Sequence, residues 1–265
     1  MKYSSKSLVI SSLALVSQAT LAGVIVDGGY TDWSIDPTTM ASTDANTRYV
    51  VEDQRTSYLS PGYGGQEYDA EAMYTRQEGG KLYIGVMTGH SGHDRDWSAG
   101  DIAIDVGSNG SYDFGVVTSN AVGNGGDGIG EAGQLFAASA WNYGIWRGPD
   151  DWAGLNDPAA VAFGHPTSVA EGVLIADVDF VYSRPHYGLG EWQQDAHYFI
   201  ETSIDLSLLG GATALLDGFT LHWAANCNND FIELVVDSVE VPEPATTGLI
   251  ALGLVALGYA RRRIA

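Results

Sequence analysis

Ala70 to Thr88 reads AEAMYTRQEGGKLYIGVMT. Two apolar-rich runs flank Glu78-Gly79-Gly80. In the second run Leu82, Ile84 and Val86 fall on one side, and Lys81, Tyr83 and Met87 on the other. That is the period-two spacing of a strand. A pair of glycines supplies the positive φ angles that a tight hairpin turn needs. The stretch therefore predicts an antiparallel hairpin, with strands over Ala70–Arg76 and Lys81–Thr88.

The same pattern spreads in both directions. Downstream, Asp101–Val106 alternates, with Ile102, Ile104 and Val106 pointing in. Ser108-Asn109-Gly110 then turns the chain into a second hairpin ending at Tyr112–Val117. Further strands are expected over Gln134–Ala140, Val173–Val178 and Tyr198–Ile204. Asp205–Gly210 reads as a short helical turn ended by glycine, before a last hairpin of Phe219–Ala225 and Phe231–Val236. Upstream, Val24-Ile25-Val26 is expected to open the fold as a strand. Asp27-Gly28 turns away from it, Trp33 packs back, and Tyr49–Val51 forms another strand. No long helical period interrupts this series. Seven Trp, fourteen Tyr and thirty-four scattered Gly suit many short strands and turns. The fold class expected is all-β, a single antiparallel β-sandwich over residues 23–236 with less than about a tenth helix.

Both ends stand apart from that domain. Lys2 and Lys6 precede a short apolar stretch, Ser7 to Val16, and Thr20-Leu21-Ala22 offers small residues for signal-peptidase cleavage. Residues 1–22 are thus read as a signal peptide. Residues 237–241 are a small linker. Residues 242–265 hold Pro242-Glu243-Pro244, then an uncharged run at 245–260, then Arg261-Arg262-Arg263. Proline makes the tripeptide stiff and non-helical. Sixteen helical residues at ~1.5 Å each span about 24 Å, a little short of a ~30 Å bilayer core. The arginines act as a cytoplasmic membrane stop, leaving everything before the helix on the far side.

The order of tripeptide, apolar helix and arginines resembles the PEP-CTERM sorting tail of Gram-negative bacteria. The resemblance implies exosortase as a partner, with transient residence in the inner membrane before delivery to the cell surface or extracellular matrix. His222-Trp223 with Cys227-Asn228-Asn229-Asp230 is also similar to a pattern in some ectodomains that carry this tail. The domain itself resembles family-nine carbohydrate-binding modules and DOMON-like sandwiches. The residues that carry this second likeness are Asp27, Gly28, Trp33, Asp69, Leu82-Tyr83-Ile84 and Gly100-Asp101.

Charge and motifs narrow the chemistry. Removing Lys2, Lys6 and the three terminal arginines from twelve basic residues leaves seven, against thirty-three Asp and Glu. An exported part near −26 excludes nucleic acid as a partner and favours solubility. Cys227 is the single cysteine, so no intramolecular disulfide forms; a small buried residue is expected there. His90-Ser91-Gly92-His93 lacks the helical spacing of a zinc motif and reads as an exposed loop. Gly123, Gly125 and Gly128 fit a dinucleotide fingerprint only on paper, since no strand-to-helix unit surrounds them; a flexible loop is expected. No nucleophile elbow is present. Acidic residues are too many for any carboxylate pair to stand out as a glycosidase pair. Asp94 and Asp96 alternate in a loop and are the candidate calcium ligands; no other cofactor is expected. The densest aromatic cluster is Trp141, Tyr143, Trp146 and Trp152, with Asp150 and Asp151 beside it. Rings of this kind stack on sugar faces while acids bind hydroxyls, so these six are the candidate glycan site. The reading is an exported, non-catalytic glycan-binding or structural module, with exopolysaccharide as ligand. The alternative is a secreted hydrolase acting on polysaccharide.

Overall fold

A computed structural model describes residues 23–52, 65–92, 97–120, 128–143, 165–211, 213–228 and 230–237. These residues form eleven strands: β1 (Arg48–Val51), β2 (Ala70–Glu78), β3 (Lys81–Thr88), β4 (Ile102–Val106), β5 (Phe114–Val116), β6 (Gln134–Asn142), β7 (Ser168–Asp177), β8 (Asp179–Tyr182), β9 (Tyr198–Asp205), β10 (Phe219–Ala224) and β11 (Phe231–Val236). Helix among the described residues is limited to two 3₁₀ turns, Gln66–Tyr68 and Leu206–Leu209. The strands make two antiparallel sheets, ordered β1-β2-β3-β9-β8 and β11-β10-β4-β5-β6-β7. The described residues are all-β and sandwich-like, as their alternation predicts.

The hairpin that sets the fold has the expected geometry. Glu78 pairs with Lys81, so the loop is only Gly79 and Gly80, with φ of 60° and 83°. A side chain at either position would meet the left-handed penalty. β3 then pairs with β9 along its whole length, from Lys81 with Asp205 to Thr88 with Tyr198.

The core follows from the alternation. Leu82, Ile84 and Val86 face Ile102, Ile104, Phe219, Leu221, Trp223, Ile232 and Leu234 across the space between the sheets. Fully burying each such side chain contributes roughly 1.5–3 kcal/mol. The opposite face of β3 is also covered. Met87 joins Trp33, Met40, Tyr74 and Phe199 in a second apolar layer outside the five-stranded sheet. The segment before β1 folds over that sheet to close the layer, and the Tyr74 hydroxyl donates to the Met40 carbonyl at 2.6 Å.

β7 and β8 are separated by a single residue, Val178. They lie at corresponding edges of the two sheets, so one run of chain passes from sheet to sheet. The Val178 amide donates to the Gly133 carbonyl at 2.8 Å, which pins the crossing. At the far side β11 lies against β1 and β2.

One expected strand does not form. Val24-Ile25-Val26 has no strand partner. Its Ile25 amide donates instead to the Asp32 carboxylate at 2.6 Å, and Val24 drops into the second apolar layer. A side-chain acceptor close in sequence has replaced the ladder. Residues 1–22 and 238–265 lie outside the described residues, and with them the signal peptide, most of the linker and the apolar run. Among the described residues no helix is long and apolar enough to cross a membrane.

Candidate functional site

Of the six expected glycan-site residues, Trp141 and Tyr143 are described; Trp146, Asp150, Asp151 and Trp152 lie outside the described residues. So do the candidate calcium ligands Asp94 and Asp96, the loop glycines Gly123 and Gly125, the sorting residues Pro242, Glu243 and Pro244, and Arg261, Arg262 and Arg263. Tyr143 is exposed at 40 %. Trp141 is half-buried at the end of β6. Its indole donates to the Tyr112 carbonyl at 3.1 Å, and its ring meets Tyr112 edge-on with centroids 6.2 Å apart. Below it Gly115 leaves the room it occupies, for a Cβ there would stand 2.7 Å from Trp141 Cη2. Trp141 thus lies against the outer face of the six-stranded sheet, half of it open to solvent.

Trp141 borders a polar cluster that strand register assembles. β10 points Phe219, Leu221 and Trp223 inward, so His222 points out. β11 does the same with Glu233, and the two residues are direct cross-strand partners. His165, in the segment leading to β7, lies over both strands. Its ring stacks on Phe231 with centroids 3.8 Å apart and on His222 at 5.0 Å. One ligand atom from each of His165, His222 and Glu233 lies within 4.8 Å of the others. Tyr112 closes the side, its hydroxyl donating to Glu233 Oε2 at 3.0 Å. His222 Nε2 bonds the Pro166 carbonyl at 3.0 Å, which fixes the proton on that nitrogen. The buried Nδ1 atoms of His165 and His222 have no hydrogen-bond partner.

Burial sets the charge states here. It lowers the His165 pKa to about 4. It lowers His222 well below the ordinary imidazole value, with the neighbouring His165 adding to the effect. Both rings are therefore neutral at pH 7. Burial, and then Glu233, raises the Tyr112 hydroxyl far above its usual range, so it remains a donor. Glu52, at the end of β1, has its pKa raised by burial first and then by Glu233.

Two other buried carboxylates are engaged by several donors each. Glu201 on β9 accepts the amides of Asp27 and Gly28 at 3.0 and 2.8 Å on one oxygen, and the Trp33 indole at 2.6 Å on the other. Asp101 accepts the amides of Thr118 and Val169 at 3.2 and 2.8 Å. Burial pushes both carboxyls up to about 7, against these donors. The positions that carry the likeness to carbohydrate-binding modules thus include anchors that hold loops to sheets. His90 is not exposed as expected. It is buried, with Nε2 3.0 Å from the Trp97 carbonyl and its own carbonyl accepting from Tyr182 at 2.8 Å. Turn geometry drew its ring inward to cap Gly92. Cys227 is buried, as expected.

Sequence reasoning missed His165 and Glu201, because each acts with residues far away in the chain, and it also missed Glu233. A signal existed for one pair. In a hairpin joining Phe219–Ala224 to Phe231–Val236, pairing the innermost residues Ala224 and Phe231 places His222 opposite Glu233.

Residues 240–263 match the model of the PEP-CTERM protein-sorting motif. The chain carries a PEP-CTERM sorting motif. Such a motif marks an exosortase substrate that bacteria export and sort to the cell surface. No curated protein and no solved structure matches the chain.

Proposed function

We propose that this is a non-catalytic surface module, released from a C-terminal membrane helix by exosortase and displayed for contact with extracellular polysaccharide. The observation that carries the reading is the PEP-CTERM match over residues 240–263, joined to an all-β ectodomain. The N-terminal 22 residues serve as a signal peptide, and the helix at 245–260 holds the chain in the inner membrane of a Gram-negative host until it is cut. A stiff, extended Pro-Glu-Pro offers a protease cleft backbone amides that a helix would hide. The non-catalytic reading is supported by Asp101 and Glu201: each carboxyl is taken up by backbone or indole donors, which leaves it poorly placed to act on a glycosidic bond. Glycan contact is assigned to Trp141, Tyr143, Trp146, Asp150, Asp151 and Trp152.

Intact mass of the surface fraction tests the processing. The expected product lacks Arg261 to Ala265, and changing Pro242 and Pro244 together to Ala leaves a full-length chain in the inner membrane. Recovery of the complete C-terminus from the surface fraction would mean a permanent anchor. A glycan array with the purified full-length chain, and with Trp146→Ala, tests the ligand: retention should fall while the circular dichroism is unchanged. Release of reducing ends from any arrayed polysaccharide would favour the hydrolase instead.

A further inference from the structure

We propose that the outer face of the six-stranded sheet binds one divalent transition-metal ion, zinc by preference, through His165, His222 and Glu233. Three groups from three segments converge there, with ligand atoms within 4.8 Å. The donor set is two imidazole nitrogens and one carboxylate oxygen. That combination suits zinc and its neighbours; calcium and magnesium take oxygen ligands.

The surroundings of each donor fit the role. A ligating histidine usually gives its other ring N–H to a carbonyl, which turns the free nitrogen toward the metal. His222 does this through Pro166, leaving Nδ1 as the lone-pair atom. That atom is buried on a side chain with no exposed surface, and it has no partner. His165 Nδ1 is also buried and unpartnered, although its ring is only half-buried. Leaving a buried polar atom unpaired costs about 1–3 kcal/mol. Two such atoms on stacked rings, in a group whose ligand atoms converge with a carboxylate, make a poor structural stack and a reasonable ligand pair. Glu233 is oriented by the Tyr112 hydroxyl on Oε2, which leaves Oε1 for an ion.

Closing the site takes a small movement. Donors around a tetrahedral zinc at ~2.1 Å stand about 3.4 Å apart. His222 is pinned between strands. His165 lies in irregular chain and no hydrogen bond holds its Nδ1, so its ring turns off Phe231 to complete the set. The other buried imidazole–carboxylate pair, His197 with Glu71 at 2.8 Å, already spends its nitrogen on its partner.

The test uses the untagged full-length chain, stripped with chelator and titrated with zinc alone against a chromophoric competitor. One zinc per chain is expected. His165→Ala and Glu233→Gln should each weaken binding at least about tenfold, with unchanged circular dichroism. His222→Ala is less informative because the residue is fully buried and its loss can unfold the sheet. Cobalt bound in place of zinc should show the visible bands of a tetrahedral site, and His165→Ala should abolish them. Absence of zinc binding, binding that both variants leave intact, or displacement of zinc by calcium would each overturn the proposal.

Discussion

The two sheets both carry a covered outer face, and the covers are made differently. Outside the five-stranded sheet, Trp33, Met40, Tyr74 and Phe199 form an apolar layer, and the buried carboxylate of Glu201 beside them accepts from three donors. Outside the six-stranded sheet, Tyr112, His165 and Phe231 pack on His222 and Tyr112 bonds Glu233, yet two ring nitrogens stay unpaired. A buried polar group with all its partners present is part of the scaffold. One lacking a partner points to something that arrives from outside. The first face closes the molecule with an apolar layer, and the second is the face for which an ion is proposed.

If the first face is scaffold, its loss should be the most damaging. Trp33→Ala should destabilise the domain by about 3–5 kcal/mol, since it empties a large buried site and strips Glu201 of its indole donor. Denaturant unfolding measures this, and a change below about 1 kcal/mol would remove the distinction between the faces. A smaller effect is expected from pH. The carboxyls of Asp101 and Glu201 titrate at about 7 in the fold, above ordinary values of 3.8 and 4.5. The folded state therefore holds its protons longer than the unfolded chain. That stability is complete below about pH 4 and is lost as pH rises through 7. The wild-type thermal midpoint, taken relative to that of Asp101→Asn, should fall between pH 5 and pH 8, which separates Asp101 from the buried histidines whose lowered pKa values act in the opposite sense; a difference that climbs over this range would contradict it. The smallest effect belongs to the second face. Gly115→Ala should cost about 1–3 kcal/mol, because its Cβ would stand 2.3 Å from Val169 Cγ2 and 2.7 Å from Trp141 Cη2 and push both outward. Tryptophan emission should shift to the red, and an unshifted spectrum would mean that Trp141 does not rest there.

Local pattern carried the strands well. β3 and the β10–β11 hairpin are visible as alternating runs, because one face of each is buried against the other sheet. The second apolar layer was less visible. Trp33 announced itself as a residue that packs back, but Glu201, which receives its indole, sits 168 positions away. β8 was also hidden: Asp179 to Tyr182 is only four residues, and nothing local separates it from the end of β7. The site residues were hardest. His165 and His222 are 57 positions apart by their numbering, and only the closed sheet brings them together.

The single residue Val178 gives the sandwich a bound edge, like the spine of a book. With β7 running into β8 across it, the two sheets cannot part on that side without breaking the Val178–Gly133 bond and pulling Phe180 from the core. Any breathing of the domain must open the fore-edge, where β11 meets β1 and no strand crosses. Glu52 and Glu233 lie at that margin. Solvent entering the core would pass them first, and amide exchange should run faster in β1 and β11 than along the spine.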